Sequence, residues 1–524
     1  MRFNRQERRE SARWGRSFSL RTLKKLWTEA SHSTGKFLGF KRFCHLSALH
    51  PAGADLRWKK TGSVLSAFLL TLFVSSCGGG GGGSGNNPPA EIVYALSGNG
   101  TITEYAINPS NGSLYPGSQT ITTGPVPIQF LFDPNGDPYA FVLNNGNTPV
   151  FAGGILTSDG SNNGSIQVFS VGSKGLSTTP VYTQKTGESP VSMAIDSQGN
   201  YLAVADHGTG TGGGGVEIFQ IGSGGAISTV PLKFSPCTYP NQVVFSPPTD
   251  GTVNESLYIV CSSPEINSSP PSASIYYCTI SQLQSGSGCT ASITPNSTIS
   301  IFSMAIDPSN QYGVAAGQNG SSGGFITEFQ NPPVANSTTF PSTATFSSVV
   351  PSGQMAFVGP SSSENVLLGN YDVTTSGLSS GINAIQPCPV PSTTQQFSCA
   401  NTTISTGSQT GPIALKTNPA GTALYVSMTG TAVSAGSSYQ TPGAILAYSV
   451  SGTTLTSFTP VPTGGWPLSV SLAPNGNLAF VPNYGSSNVS VFSVAGNGAL
   501  APFNLNNGSN LLPVGSNPIS VIVR

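Results

Sequence analysis

Charged side chains are scarce in this chain, only 8% of 524 residues, against about 25% in typical soluble domains. Ser, Thr, Asn and Gly must therefore supply the polar surface. Histidine is scarcer still, four in all, and His207 is the only one beyond residue 50. The charge that exists is unevenly spread, with 15 of the 20 Lys and Arg in residues 1–60. From Cys77 onward five basic side chains (Lys174, Lys185, Lys233, Lys416, Arg524) face 16 acidic ones, a net of −11. Neutralising phosphates requires clustered Lys and Arg, so nucleic-acid binding is disfavoured. A run long enough to span a bilayer is lacking as well. The run Val64–Ser76 has 13 residues, whereas a spanning helix needs about 20.

That short run has a different use. A basic flank at Lys59-Lys60, an apolar core and small residues before a cut form the layout of a secretory signal. Its end, Val74-Ser75-Ser76-Cys77, resembles the lipobox of bacterial lipoproteins. The resemblance implies cleavage before Cys77 and lipidation of its sulfur. An ordinary signal peptide with an incidental cysteine is the alternative. The glycines after Cys77 then form a flexible tether over 77–89. Residues 1–55 are basic and without apolar period, an unusual leader for a signal. We expect translation to start near Leu56, giving a signal of ordinary length over 56–76. Gly78 after the cysteine resembles lipoproteins passed on to the outer membrane. The expectation is an exported protein, held at the outer membrane or cell surface by its lipid.

Cysteine usage agrees with export. Beyond Cys77 stand Cys237, Cys261, Cys278, Cys289, Cys388 and Cys399, an even count that favours disulfides in an oxidising compartment. Six cysteines allow 15 pairings. The spacing favours the local pairs Cys278–Cys289 and Cys388–Cys399, which leaves Cys237–Cys261. Zinc is the competing use, but no CxxC or HxxxH spacing accompanies them.

The chain repeats itself. GPVPIQFLFDPNGDPYAFVLN (124–144), GESPVSMAIDSQGNYLAVAD (187–206) and GGWPLSVSLAPNGNLAFVPN (464–483) share Gly-x-x-Pro, an alternating strand, a turn and a second strand. Weaker copies begin near 237, 299, 352 and 410, and GSNPISVIVR (515–524) stops after its first strand. The turns have a mechanism, since Asp133-Pro134-Asn135-Gly136 places Pro at φ near −65° and then residues that tolerate a left-handed backbone. A Gly-rich loop and two further strands complete each unit, the fourth opened by turns such as Gly175-Leu176 or Ala499-Leu500. Four strands in roughly 50–60 residues is the signature of a β-propeller blade. Residues 91–117 supply the outer strands that the last copy lacks, so the two ends complete one blade and remove two sheet edges. The expected fold is an all-β propeller over 90–524, of eight blades by this count, with seven as the alternative.

LAFVPNYGSSNVSVFSV (478–494) and IVYALSGNGTITEYAINPSNGSLYP (92–116) resemble the 6-phosphogluconolactonase-like lactonases and the related YVTN-repeat surface proteins. That family resemblance implies a propeller, usually of seven blades, and sites built from Arg and His. No catalytic motif of the family maps onto this chain residue by residue. A phosphosugar would call for an Arg or Lys cluster that the propeller lacks. A metal-assisted lactonase would need convergent acidic ligands. The acids are dispersed over most blades, so no cofactor is expected and a divalent metal stays an open alternative.

Two sets of residues stand out. Asp206-His207 ends a second strand, where other copies carry Asn144, Asn370 and Asn483-Tyr484. Asp206 and His207 could act as acid and base, or serve strand-end turns as Asn and Asp often do. Aligning the Gly-x-x-Pro entries puts Val126, Ser189, Tyr239, Trp466 and Asn517 at one position, with Glu188 beside it. Tyr239 and Trp466 could stack on a sugar or pack between blades, and Glu188 could accept ligand hydroxyls. No phosphate loop and no Gly-x-Ser-x-Gly elbow occur. The reading that follows is a monomeric surface propeller binding an envelope protein or glycan, with hydrolysis of a neutral lactone as the alternative.

Overall fold

The computed structural model describes most of residues 91–524; residues 1–90 and a set of loops, the longest being 109–118, 263–272, 331–341, 390–403 and 430–441, lie outside the described residues. The signal, Cys77, the tether and Cys399 therefore fall outside them, as does the proposed Cys388–Cys399 bridge. The described chain is all β, with helix confined to Ile280–Ser285 and a 3-10 turn at Ser223–Gly225.

Eight antiparallel sheets follow one another along the chain, each with a path of four strands and three with a fifth strand beside it, and two short two-stranded hairpins stand apart from them. Blade 1 is the composite anticipated from the half-units. Pro518–Val523 pairs with Glu91–Ser97 (Val93 opposite Val523), which pairs in turn with Thr101–Ile107 and then Gln119–Thr122. The inner strands of the next three blades are Pro127–Phe132, Pro190–Ile195 and Pro240–Phe245. Ile299–Ile306, Val350–Val358, Pro412–Thr417 and the short Ser471–Leu472 open blades 5 to 8. Gly175–Leu176 does not begin the fourth strand of blade 2. It is a separate two-residue strand on Ser165–Gly172, and Tyr182–Lys185 forms the outer edge.

Each second strand whose side chains are described buries both of its faces, and this is why these strands read as nearly continuous apolar runs. In Tyr139–Asn144, Ala140 and Val142 pack towards blade 1 with Tyr94 and Leu96, while Phe141 and Leu143 pack towards blade 3 with Leu202 and Val204. Similar clusters fill the seams between blades 3 and 4, 4 and 5, 6 and 7, and 7 and 8. One joins blade 8 to blade 1, where Phe480 and Val491 meet Val93 and Val521. The ring is thus closed by burial as well as by strand pairing.

Local signals account for the turns between first and second strands. Asp196 Oδ1 accepts the N–H groups of Asn200 and Tyr201, both at 2.7 Å, and Asn418 Oδ1 accepts those of Thr422 and Ala423. Gly136 and Gly199 take the left-handed backbone, φ 86° and 67°, that these turns require. Inner strands of neighbouring blades are linked by side chains. Gln129 accepts from the Met193 N–H at 2.7 Å and donates to its carbonyl at 2.8 Å, and Gln242 treats Met304 in the same way at 2.9 and 3.2 Å. Cys237–Cys261 ties the entry of blade 4 to the end of its second strand, and Cys278–Cys289 closes the loop that holds the helix, as two of the three expected pairs.

Candidate functional site

The residues singled out by the Gly-x-x-Pro alignment gather at one end of the blades, where the chain enters each inner strand. The residue before the proline adopts a left-handed backbone at Val126, Ser189, Trp466 and Asn517, with φ of 50–58°, and at Gly411 in blade 7. Such φ values cost non-glycine residues on the order of 1–3 kcal/mol, and Val126 is β-branched as well. The recurrence has a cause. In this conformation each carbonyl accepts the N–H of the residue just past the second strand. The bonds are Asn145 to Val126 at 2.8 Å, then His207 to Ser189, Tyr484 to Trp466, Thr429 to Gly411 and Gly98 to Asn517, each at 2.9 Å. Every such bond staples a blade's first and second strands at the rim.

The glycine that opens the motif is set by close approach. A Cβ on Gly124 would lie 2.8 Å from Asn144 Cγ, and one on Gly187 would lie 2.7 Å from Asp206 Oδ2. Beneath the glycine, the polar residue that ends the second strand meets a polar residue of the third. Gly124 N–H donates to Gln167 Oε1 at 2.6 Å, and Asn144 Nδ2 donates to the same oxygen at 3.2 Å. In blade 3, Gly187 N–H donates to Glu217 Oε2 at 3.0 Å, and Lys233 closes on Glu217 Oε1 at 2.6 Å. In blade 8, Asn483 Nδ2 donates to Asn488 Oδ1 and Ser490 Oγ. Asn144, Asp206 and Asn483 are all buried, and Oδ1 of each has no hydrogen-bond partner. These three sit as braces below the rim.

Asp206 and His207 are consecutive residues of extended chain, so their side chains leave on opposite sides. Burial pushes the Asp206 carboxyl well above the ordinary carboxylate range, and the neighbouring Glu217 adds to it. The Gly187 N–H and Lys233 pull the other way. His207 turns instead to blade 4, where its ring lies 5.2 Å from that of Tyr239, tilted by 33°. Burial lowers its pKa, opposed by the Gly208 carbonyl 3.4 Å from Nδ1. The imidazole is therefore neutral at neutral pH. The fold does not bring the two into a hydrogen-bonded pair. Glu188 is half-buried on the rim, and its carbonyl accepts the Gly208 N–H at 3.0 Å.

Trp466 and Tyr484 form the second aromatic pair, edge to face at 6.0 Å, both half-buried. Rim residues also bond across to a neighbouring blade. Asn145 Nδ2 donates to the Pro190 carbonyl at 2.9 Å, and Asn517 Nδ2 donates to that of Tyr484 at 3.2 Å. Asn145 was not picked out by the sequence, though it occupies the place of His207 and Tyr484. Ser189 is fully buried and cannot line an opening. The half-buried side chains on this rim are Val126, Glu188, Tyr239, Trp466, Tyr484 and Asn517. No Lys or Arg stands at an aligned entry or at the end of a second strand, since Lys185 and Lys233 lie on outer strands and Lys416 and Arg524 at the far side. Among the described residues no group of three or more His, Cys, Asp or Glu could hold a metal ion.

Residues 365–506 match the family model described as "Lactonase, 7-bladed beta-propeller". The eight sheets found here are one more than that description names. No curated protein matches the chain. Among solved structures, the dihydro-heme d1 dehydrogenase NirN is similar with a TM-score of 0.52 at 10% identity, over 86% of this chain and 78% of that one. A 6-phosphogluconolactonase-like protein of Bacteroides fragilis gives 0.49 at 13% identity, over 84% of this chain and all of that one. The periplasmic gluconolactonase of Pseudomonas aeruginosa gives 0.47 at 13%, over 83% and 98%. At these identities the likeness concerns the fold alone.

Proposed function

We propose that this propeller of the lactonase type is an exported, lipid-anchored binding module that takes a neutral glycan on its entry rim. The observation that carries the reading is the two aromatic contacts on the rim, His207–Tyr239 across the seam of blades 3 and 4 and Trp466–Tyr484 within blade 8. Around them stand neutral hydrogen-bonding groups such as Asn517, with Glu188 as a single carboxylate. Stacking faces and amide or hydroxyl donors suit a polyhydroxylated ring, and the lack of cations there disfavours a phosphorylated one. The two disulfides fit an oxidising compartment. The lipid anchor and the outer-membrane location rest on the signal sequence. A neutral lactone as substrate is the second reading. The family match over 365–506 and a neutral His207 at the rim favour it.

The two readings separate in one experiment. The purified protein is titrated with a panel of neutral oligosaccharides and assayed against neutral lactones, with Trp466→Ala and Tyr239→Ala alongside. Saturable glycan binding weakened about tenfold by either substitution, without turnover, supports the module. Lactone turnover abolished by His207→Ala replaces it with the hydrolase. Binding untouched by both rim substitutions removes the rim from the account.

A further inference from the structure

A cleft of about 290 Å³ opens at the opposite end of the molecule, where blade 1 meets blade 2. Ile92, Tyr94, Pro138, Val171, Gly172, Ser173 and Arg524 line it. We propose that it binds a small apolar monocarboxylate, its carboxylate on Arg524 and its body against Ile92, Val171 and Pro138. The proposal is independent of the rim.

Three observations support it. First, Arg524 is held in place. Its backbone pairs with Ile92 in both directions, at 2.9 and 3.0 Å, and its guanidinium carbon stands 5.1 Å from the centre of the Phe132 ring. Arg524 has no carboxylate within ion-pair distance among the described residues, and its side chain lines the cleft. Planar, paired N–H donors on an aromatic support suit a carboxylate.

Second, the buried Tyr94 backs the cleft from the core of the seam between blades 1 and 2. The ring is fixed by edge contacts with Phe130 at 5.9 Å and Phe132 at 5.2 Å, so its position is set in advance. Third, apart from Ser173 at the mouth the remaining wall is aliphatic or glycine backbone, which gives an organic body apolar contact.

Local charge restricts the choice further. The field of Arg524 reaches the buried Asp133 carboxyl, which Asp137 opposes, and Glu104 lies close enough to raise the Tyr94 hydroxyl. A second negative charge on the ligand would meet these acids, so a monoanion is favoured over a phosphate dianion. The cleft also spans the junction where Arg524 and Ile92 close the ring, so a bound ligand would brace that closure.

The test is calorimetric titration of the purified protein with sodium octanoate, with 1-octanol and inorganic phosphate as controls. One saturable octanoate site is expected, with octanol and phosphate at least tenfold weaker. Arg524→Gln leaves the backbone pairing intact and should weaken octanoate at least tenfold. Ser173→Trp, at an exposed position on the cleft mouth, should do the same by filling it. Octanoate should raise the thermal midpoint of the parent protein and leave that of Arg524→Gln unmoved. The proposal is overturned if folded protein shows no saturable octanoate binding, if octanol binds equally well, or if binding survives both Arg524→Gln and Ser173→Trp.

Discussion

Blades 2 and 3 place Asn144 and Asp206 at the same point, beneath the glycine that opens the entry motif, and surround them with different chemistry. In blade 2 an amide donates to Gln167 Oε1, and no ionisable group is involved. In blade 3 a carboxyl faces Glu217, whose charge is met by Lys233 and by the Gly187 N–H. Both arrangements hold the same rim geometry, since Val126 and Ser189 share the left-handed backbone and its bond to the next strand. The same rim geometry stands over a neutral amide and over a carboxyl, and in blade 7 over the apolar Met428, so it does not need a charge below it. Blade 3 accommodates an acid there because burial favours its neutral form and a cation neutralises its neighbour.

The largest expected effect comes from making blade 2 like blade 3 without its cation. Asn144→Asp removes the donor to Gln167 and buries a carboxylate where Thr183, and not a lysine, stands opposite Gln167, and should lower stability at pH 7 by about 3 kcal/mol in urea melts. A loss below about 1 kcal/mol would mean that the brace is open to solvent. Next is the shared steric feature. Gly124→Ala and Gly187→Ala should each cost about 2 kcal/mol, because the added Cβ must displace the brace in both blades. Unequal losses would show that only one brace is rigid.

Asp206→Asn runs the comparison in reverse and should be stabilising by about 1 kcal/mol at pH 7. The sign follows from the raised carboxyl. The folded protein holds this proton more tightly than the unfolded chain. Its contribution is therefore full below pH about 4 and is lost as pH rises through the folded pKa. The parent should lose stability over that window, and Asp206→Asn should lose less. Identical pH profiles for the two proteins would refute the assignment. Smallest is Lys233→Met, on a largely exposed side chain, expected to cost less than about 1 kcal/mol at low salt and still less at 0.5 M salt.

The Gly-x-x-Pro repeats, the turns at Asp133 and Asp196 and the composite first blade were legible because each depends on neighbours a few residues away or on strand periodicity. The Cys278–Cys289 bridge was legible for the same reason, since its partners are 11 residues apart. Reading the rim was harder. The alignment found the left-handed positions at Val126, Ser189, Trp466 and Asn517, but it could not show that Ser189 is buried while Trp466 is half-buried. Adjacency in sequence suggested a partnership of Asp206 with His207. Extended backbone separates such neighbours, and their real partners, Glu217 and Tyr239, come from the third strand and from the next blade. Asn145, Gln129 and Gln242 gave no signal, because their bonds are to backbone groups more than 40 residues away.

The sequence by itself determined the strands, their turns, the blade repeat and the scarcity of charge from Cys77 onward, since all of these follow from composition and short-range pattern. Only the ring decided which polar side chains became buried braces, which reached the rim, and which met across a seam. The same second-strand residue faces two different blades on its two sides. Its environment is therefore fixed by how neighbouring sheets stack, and a local stretch of sequence does not encode that.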